Sequence, residues 1–357
     1  MSDTTSSASA TTQTNGHDTA PTPEHIMQTG AAFWSSKVLL TAVEFELFTR
    51  LGDASMTGSE LEDALGFHPR ATYDFLDTLV ALGFLDRDGD GSEGRYCNTT
   101  ETALFLNKGK PSYVGVILEM FNARLFGYWN NLGEALRTGR PQNEIKETGE
   151  SVFVALYKNP EGLEGFLNAM AGISAGNFMA LAKVFDFSRY ETLCDVGGAT
   201  GQLSILVAQQ HQNLQCTTFD LPPVAPIAQK HVDTAGLSDR ISVASGDFFE
   251  DDLPTADVIT MGMILHDWNL ENKKMLIRKA YDALPEGGAF VVVENLIDDA
   301  RRENAFGLMM SLNMLIEFGE AFDYTFADFR GWCEEVGFRR FEKLHLAGPA
   351  SAGVAYK

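Results

Sequence analysis

Basic residues are scarce in this chain. Of its 357 residues, 27 are Lys or Arg against 49 Asp or Glu, a formal net charge of −22. A surface this acidic repels phosphate backbones and argues against nucleic acid as a partner. Cysteine is equally sparse: Cys97, Cys194, Cys216 and Cys333 lie far apart with no C-x-x-C spacing. That speaks against a disulfide scaffold or a zinc ribbon and for buried free thiols in a reducing cytoplasm. No run approaches the roughly 20 apolar residues that span a bilayer, so no membrane partner is expected. The opening Ser-, Thr- and Ala-rich stretch has no basic flank before an apolar core, so residues 1–22 read as a disordered tail and not as a secretory signal. No fixed-period repeat is present, which argues against a solenoid.

What is present is an ordinary globular composition, 45% hydrophobic and 11% aromatic, in a length that accommodates about two domains of ~150 residues. Pro21 and Pro23 mark the entry into structure. From Gly30 to Leu51 apolar residues recur at helical spacing on more than one face, Phe33, Trp34, Val38, Leu39, Phe45 and Phe48 among them, so a face is left to cover. A short helix follows over Met56–Gly66, then a second opened by His68-Pro69-Arg70. Asp88-Gly89-Asp90-Gly91 is a hairpin turn. Helix, turn, helix and hairpin outline a winged helix over residues 23–110. Its would-be recognition helix carries Asp74 and Asp77 beside Arg70, too acidic for DNA, which favours a scaffold or dimerisation role. Residues 111–185 read as mostly helical.

From residue 186 to 357 the rhythm changes to strands alternating with helices. Strands are expected at Thr192–Val196, Gln215–Phe219, Ile241–Ala244, Val258–Met261 and Ala289–Glu294, with closing strands near Phe341–Leu346 and Ala352–Tyr356. Such alternation predicts an α/β, Rossmann-like parallel sheet with helices on both faces and a ligand crevice at the carboxyl ends of the strands.

Those ends carry the chemistry. The first reads Asp195-Val196-Gly197-Gly198-Ala199-Thr200-Gly201, which does not match the G-x-G-x-x-G of dinucleotide sites. Its glycines admit close backbone approach, and Asp195 suits an amine better than a phosphate. Asp220 stands 23 residues beyond Gly197, a spacing at which a carboxylate can accept ribose hydroxyls; capping of the next helix is the plainer alternative. Gly246-Asp247-Phe248-Phe249 offers a carboxylate for an adenine amino group and a ring to stack on it, though the phenylalanines could equally be core. Leu265-His266-Asp267-Trp268 puts an imidazole at the mouth of the same crevice, and Glu294 could reach across to it and fix its tautomer.

These four motifs together resemble the S-adenosylmethionine-dependent O-methyltransferases of the caffeate and acetylserotonin type, over roughly residues 25–357. The resemblance implies a class I methyltransferase domain behind an N-terminal winged-helix dimerisation domain, a homodimer, S-adenosylmethionine as cofactor without a metal, and a small-molecule acceptor. It assigns the methionine part of the cofactor to Gly197, Gly198 and Gly201, with Asp195 and Leu221 alongside, the ribose to Asp220, and the adenine to Asp247 and Phe248. It makes His266 the general base, supported by Glu294 and by Asp323, which replaces the Glu of the family's E-R-T stretch. Trp129, Phe178, Met309, Met310, Asn313 and Met314 fall in its acceptor region. Where the family often has Lys or Arg before His-Asp-Trp, this chain has Gly262 and Met263.

Overall fold

The computed structural model describes residues 21–110, 112–149, 157 and 159–357. Residues 1–20 of the expected tail lie outside them. The first helix, Glu24–Glu44, starts behind Pro23 and ends earlier than its apolar pattern predicts. Glu46 adopts φ 55°, a left-handed conformation that no right-handed helix can propagate. The chain bends there, Phe45 packs edge-on against Phe67 at 5.0 Å, and a short helix Leu47–Leu51 sends Leu47, Phe48 and Leu51 into the core.

Strand β1 (Ser55–Thr57), too short to show in the sequence pattern, pairs antiparallel with β3 (Arg95–Asn98), which also pairs with β2 (Leu85–Asp88). The helix Gly58–Leu65 begins with a reciprocal Thr57–Glu60 capping box and stops at left-handed Gly66. With the helix Pro69–Ala81 it buries Leu61, Leu76 and Leu79 against Phe48 and Tyr96, completing the winged helix. The outer face of the first helix stays uncovered: Ile26, Phe33 and Trp34 are 71%, 56% and 66% exposed.

The larger sheet has seven strands in the order β6-β5-β4-β7-β8-β10-β9. Strands β4 (Thr192–Val196), β5 (Gln215–Asp220), β6 (Ile241–Ser245), β7 (Val258–Gly262) and β8 (Ala289–Glu294) are parallel. The last two, β9 (Arg340–His345) and β10 (Ser351–Tyr356), run antiparallel at one edge. Every residue of β8 is buried, as its continuous apolar run requires of a strand covered on both faces. One layer of core gathers Phe178, Leu181 and Val207, the other Met261, Leu276 and Phe329. The chain leaves β4 toward β5 on one side and enters β7 on the other, so a crevice opens at their carboxyl ends. Among the described residues no helix is long and apolar enough to cross a membrane.

Candidate active site

The loop after β4 admits few side chains. Gly197 and Gly201 sit at φ 69° and 74°, and Ala199 is also left-handed at 49°. A Cβ on Gly197 would come within 2.3 Å of Ile264 Cδ1, and one on Gly198 within 2.1 Å of Thr218 Oγ1. The loop thus lies flat between β5 and the turn that leads to His266. Asp195 is buried beneath it, its Oδ1 accepting a 2.7 Å hydrogen bond from Thr260 Oγ1, and burial pushes its carboxyl up to about 7. A bound ammonium would restore its charge.

Asp220 joins two loops: Oδ2 accepts from the Ala199 N–H at 2.9 Å and Oδ1 from the Leu221 N–H at 2.7 Å. Each oxygen keeps a lone pair for a further donor. Asp247 accepts from the Phe249 N–H at 2.8 Å, and Phe249 packs edge-on to both Phe248 and Trp268 at 4.8 and 4.5 Å. Lys279 locks this loop from the helix Leu270–Ala283 by donating to the carbonyls of Phe248, Phe249 and Asp251. Because the strand order runs β6-β5-β4-β7, Asp247, Asp220, the glycine loop and His266 follow one another along one edge of the sheet. Sequence reasoning missed Tyr157, which packs against the same buried Leu163, Leu167 and Val224 as Ala199 and Leu221 do, and feels the charges of Asp220, Asp247 and Asp267. It carries no motif of its own, so only the fold brings it to the crevice.

His266 is buried in the turn after β7. The surrounding carboxylates differ from the sequence expectation in one respect. Glu294 Oε1 accepts from the backbone N–H of His266 at 3.3 Å and from the Tyr324 hydroxyl at 3.4 Å, and so holds the turn, not the ring. The ring faces Asp323, whose Oδ1 lies 3.5 Å from Nδ1, and Asp267, whose Oδ1 lies 3.3 Å from Nε2. Asp267 belongs to the Leu265-His266-Asp267-Trp268 motif, but nothing local in the sequence marks it as a partner of the ring. Burial works against an imidazolium here, but Asp267, Glu294 and Asp323 outweigh it and raise His266 to about 10. Burial also raises Glu294 to about 7 and Asp267 to about 6. His266, Glu294 and Asp323 present ligand atoms within 4.8 Å of one another, a spacing that also suits a cation. One is already close, since the ammonium of buried Lys273 donates to the carbonyl of Trp268.

Two remote segments roof the crevice. Trp129 Nε1 donates to Asn313 Oδ1 at 2.9 Å, and Met314, next along the helix Ala305–Phe318, is buried. Met310 is half-buried and Met309 is exposed, so the structure does not gather all three methionines equally. Phe178 lies in the core against the end of β7, its Cε1 2.9 Å from where a Gly262 Cβ would stand. The ring fills the space a longer side chain at 262 would need, which explains the glycine there.

Residues 27–108 match the model of the O-methyltransferase dimerisation domain, and residues 129–339 that of the O-methyltransferase domain. The chain belongs to the O-methyltransferase family. It is 38% identical to the tetracenomycin polyketide synthesis 8-O-methyl transferase TcmO of Streptomyces glaucescens, across 94% of this chain and 97% of that one. Identity to the N,N-dimethyltransferase OxyT of Streptomyces rimosus is 33%, across 88% and 90%. The fold superposes on human N-acetylserotonin methyltransferase, solved in complex with SAM, with a TM-score of 0.85, 26% identity and coverage of 96% and 99%. The protein is thus an S-adenosylmethionine-dependent O-methyltransferase. The residues of the crevice suit a cationic, phosphate-free group: Asp195 and Asp220 are carboxylates that a phosphate would repel, and the oxygens of Asp220 keep lone pairs for further donors.

Proposed function

We propose that this enzyme methylates a phenolic hydroxyl of a fused-ring aromatic natural product, with His266 as general base. The observation that carries the reading is the buried imidazole at the end of β7, with Asp323 on one nitrogen and Asp267 on the other. The polyketide 8-O-methylation named for TcmO supports the acceptor class.

The cofactor, when bound, supplies an activated methyl on a sulfonium. The chain's own residues then have three tasks. Asp247 and Phe248 hold the adenine, Asp220 the ribose hydroxyls, and Gly197, Gly198, Gly201 and Leu221 the methionine part, whose ammonium faces Asp195. Trp129, Asn313, Met310 and Met314 enclose the acceptor ring and aim its oxygen, with Phe178 backing them from the core and exposed Met309 at the rim. Positioning of this kind is worth up to about 7–11 kcal/mol. His266 takes the proton, the acceptor hydroxyl replacing Asp267 on Nε2.

A phenol near ~10 facing an ordinary imidazole near ~6.5 leaves proton transfer uphill by roughly 5 kcal/mol. The three carboxylates close most of that gap by raising His266. Asp323 stabilises the imidazolium directly, and Glu294 does so through the turn it holds. OxyT is named for methylation of nitrogen, so the family's acceptors are not all oxygens; a base flanked by carboxylates favours an acceptor that must lose a proton.

The exposed face of the first helix supports a homodimer through the N-terminal domain, and the four free cysteines support a cytoplasmic setting. A panel of naphthols and hydroxyanthraquinones with radiolabelled cofactor tests the acceptor class, and His266→Ala tests the base. Turnover of the best phenol is expected to fall about 10²–10⁴-fold in that variant with S-adenosylhomocysteine binding retained. An undiminished rate would reject His266 as the base.

A further inference from the structure

One side chain near the base stands where a hydrophobic residue belongs. The buried face of the helix Leu270–Ala283 consists of Lys273, Leu276, Ile277 and Ala280. The neighbouring lysines follow ordinary rules: Lys274 pairs with Glu335 at 2.6 Å on the outside, and Lys279 caps three carbonyls. Lys273 is instead completely buried. A buried ammonium is costly unless compensated, so its surroundings have to supply the compensation.

They do so from several elements. Lys273 Nζ donates to the carbonyl of Trp268, at the end of the turn that holds His266 and Asp267. It also stands 3.8 Å from the centre of the Phe322 ring and 5.8 Å from that of Tyr324, the two residues that flank Asp323. Its charge is felt together with those of Asp267 from the turn, Glu294 from β8 and Asp323 from the segment before the helix Phe326–Val336. Glu317, on the helix Ala305–Phe318, adds its charge at Asp267, and the Tyr324 hydroxyl reaches Glu294. Three carboxylates therefore share two cations, His266 and Lys273.

We infer that Lys273 is a positioning residue for the base: its ammonium ties the turn carrying His266 and Asp267 to the segment carrying Asp323, and balances the carboxylates these bring together. The inference rests on the reading of His266 as base, but its consequence is measurable without an acceptor. Removing the ammonium leaves the carboxylates less opposed, so Asp267, whose carboxyl the Lys273 charge holds down against burial, keeps its proton to higher pH. Burial keeps Lys273 near 8 against an ordinary 10.5, so the balancing charge is present at neutral pH and begins to be lost in mild alkali.

The test is an NMR titration of the full-length protein, with aspartate labelled at 13Cγ, saturated with S-adenosylhomocysteine. The Asp267 resonance is assigned from an Asp267→Asn spectrum. In Lys273→Met the midpoint for Asp267, which titrates while the ammonium is still charged, is expected to rise by about one pH unit, the scale of one opposing charge lost from a buried site. Lys273→Gln keeps a donor for the Trp268 carbonyl and is expected to show the same rise, separating charge from hydrogen bond. A midpoint unchanged from wild type in either variant that still binds S-adenosylhomocysteine would overturn the inference, whatever happens to thermal stability. An unmoved midpoint beside an inactive His266→Ala would reject Lys273 alone. A fully active His266→Ala would reject the base reading independently.

Discussion

The indole of Trp129 donates to the side-chain oxygen of Asn313 at 2.9 Å, a hydrogen bond that spans 184 residues of chain. It fastens the helical region behind the winged helix to the helix Ala305–Phe318, and the ion pair of Arg124 with Glu317 at 3.1 Å fastens the same two parts nearby, Arg124 being braced within its own region by Glu144 at 2.7 Å. The roof proposed for the acceptor is therefore a joint construction whose halves are held in register by directional bonds.

Trp129→Phe keeps an aromatic ring, though a smaller one, and removes the donor. A hydrogen bond of this kind contributes about 0.5–1.5 kcal/mol, so KM for the acceptor is expected to rise roughly two- to tenfold with little change in kcat. Steady-state kinetics on the best phenol of the panel checks this. Equal losses in kcat and in binding of S-adenosylhomocysteine would show that the bond supports the fold and not the acceptor.

The pH dependence has a definite sign. His266 must be neutral to accept a proton, and its carboxylate neighbours raise it from 6.5 to about 10. Activity is therefore expected to increase with pH through an acidic limb lying well above that of an ordinary histidine. Asp323→Asn removes one of the raising charges and should move the limb down while lowering the plateau rate. A wild-type limb at 6–7, measured on a phenol ionising near ~10, would show that the carboxylates do not govern the base.

Asp220 makes two backbone hydrogen bonds that set the spacing of two loops. Asp220→Ala removes both, together with the partner proposed for the ribose. Hydrogen bonds to charged groups contribute about 1.5–3 kcal/mol each, so the affinity for S-adenosylhomocysteine should fall by at least about tenfold in calorimetry. NAD should give no heat with either protein. Heat with NAD and none with S-adenosylhomocysteine would contradict the arrangement of the crevice described above.

Phe33 and Trp34 are more than half exposed on a helix whose opposite side forms the winged-helix core. Light scattering of the full-length protein should report a twofold assembly, and the double substitution Phe33→Glu, Trp34→Glu should shift it to a ~39 kDa monomer with weakened acceptor binding. A wild-type monomer with full activity would refute the proposed dimer.

Much of the sheet was legible because its signals are local. Val291, Val292 and Val293 announce a strand buried on both faces, and Gly197 and Gly201 announce a loop in which left-handed backbone is needed. Loop chemistry also places Asp195, Asp220, Asp247 and His266 at strand ends, since each lies where an apolar run stops. The break at Glu46 was not legible: the apolar spacing continues through it, and only the demand of Leu47, Phe48 and Leu51 for the winged-helix core turns the chain. Nor was β1, whose three residues are strand only because β3 lies beside them.

By itself, then, the sequence determined the alternation of strands and helices, the acidic character of the crevice and the residue types at its rim, because periodicity, turn chemistry and charge act over a few neighbouring residues. Tertiary structure alone decided which partner each of those residues meets. It put Asp323 and Asp267 beside the imidazole and Glu294 on the backbone, brought Tyr157 within the field of Asp220, Asp247 and Asp267, and turned Lys273 inward. Electrostatic fields depend on distances in space, and residues far apart in the chain become neighbours only when the sheet order and the packing of its helices are set.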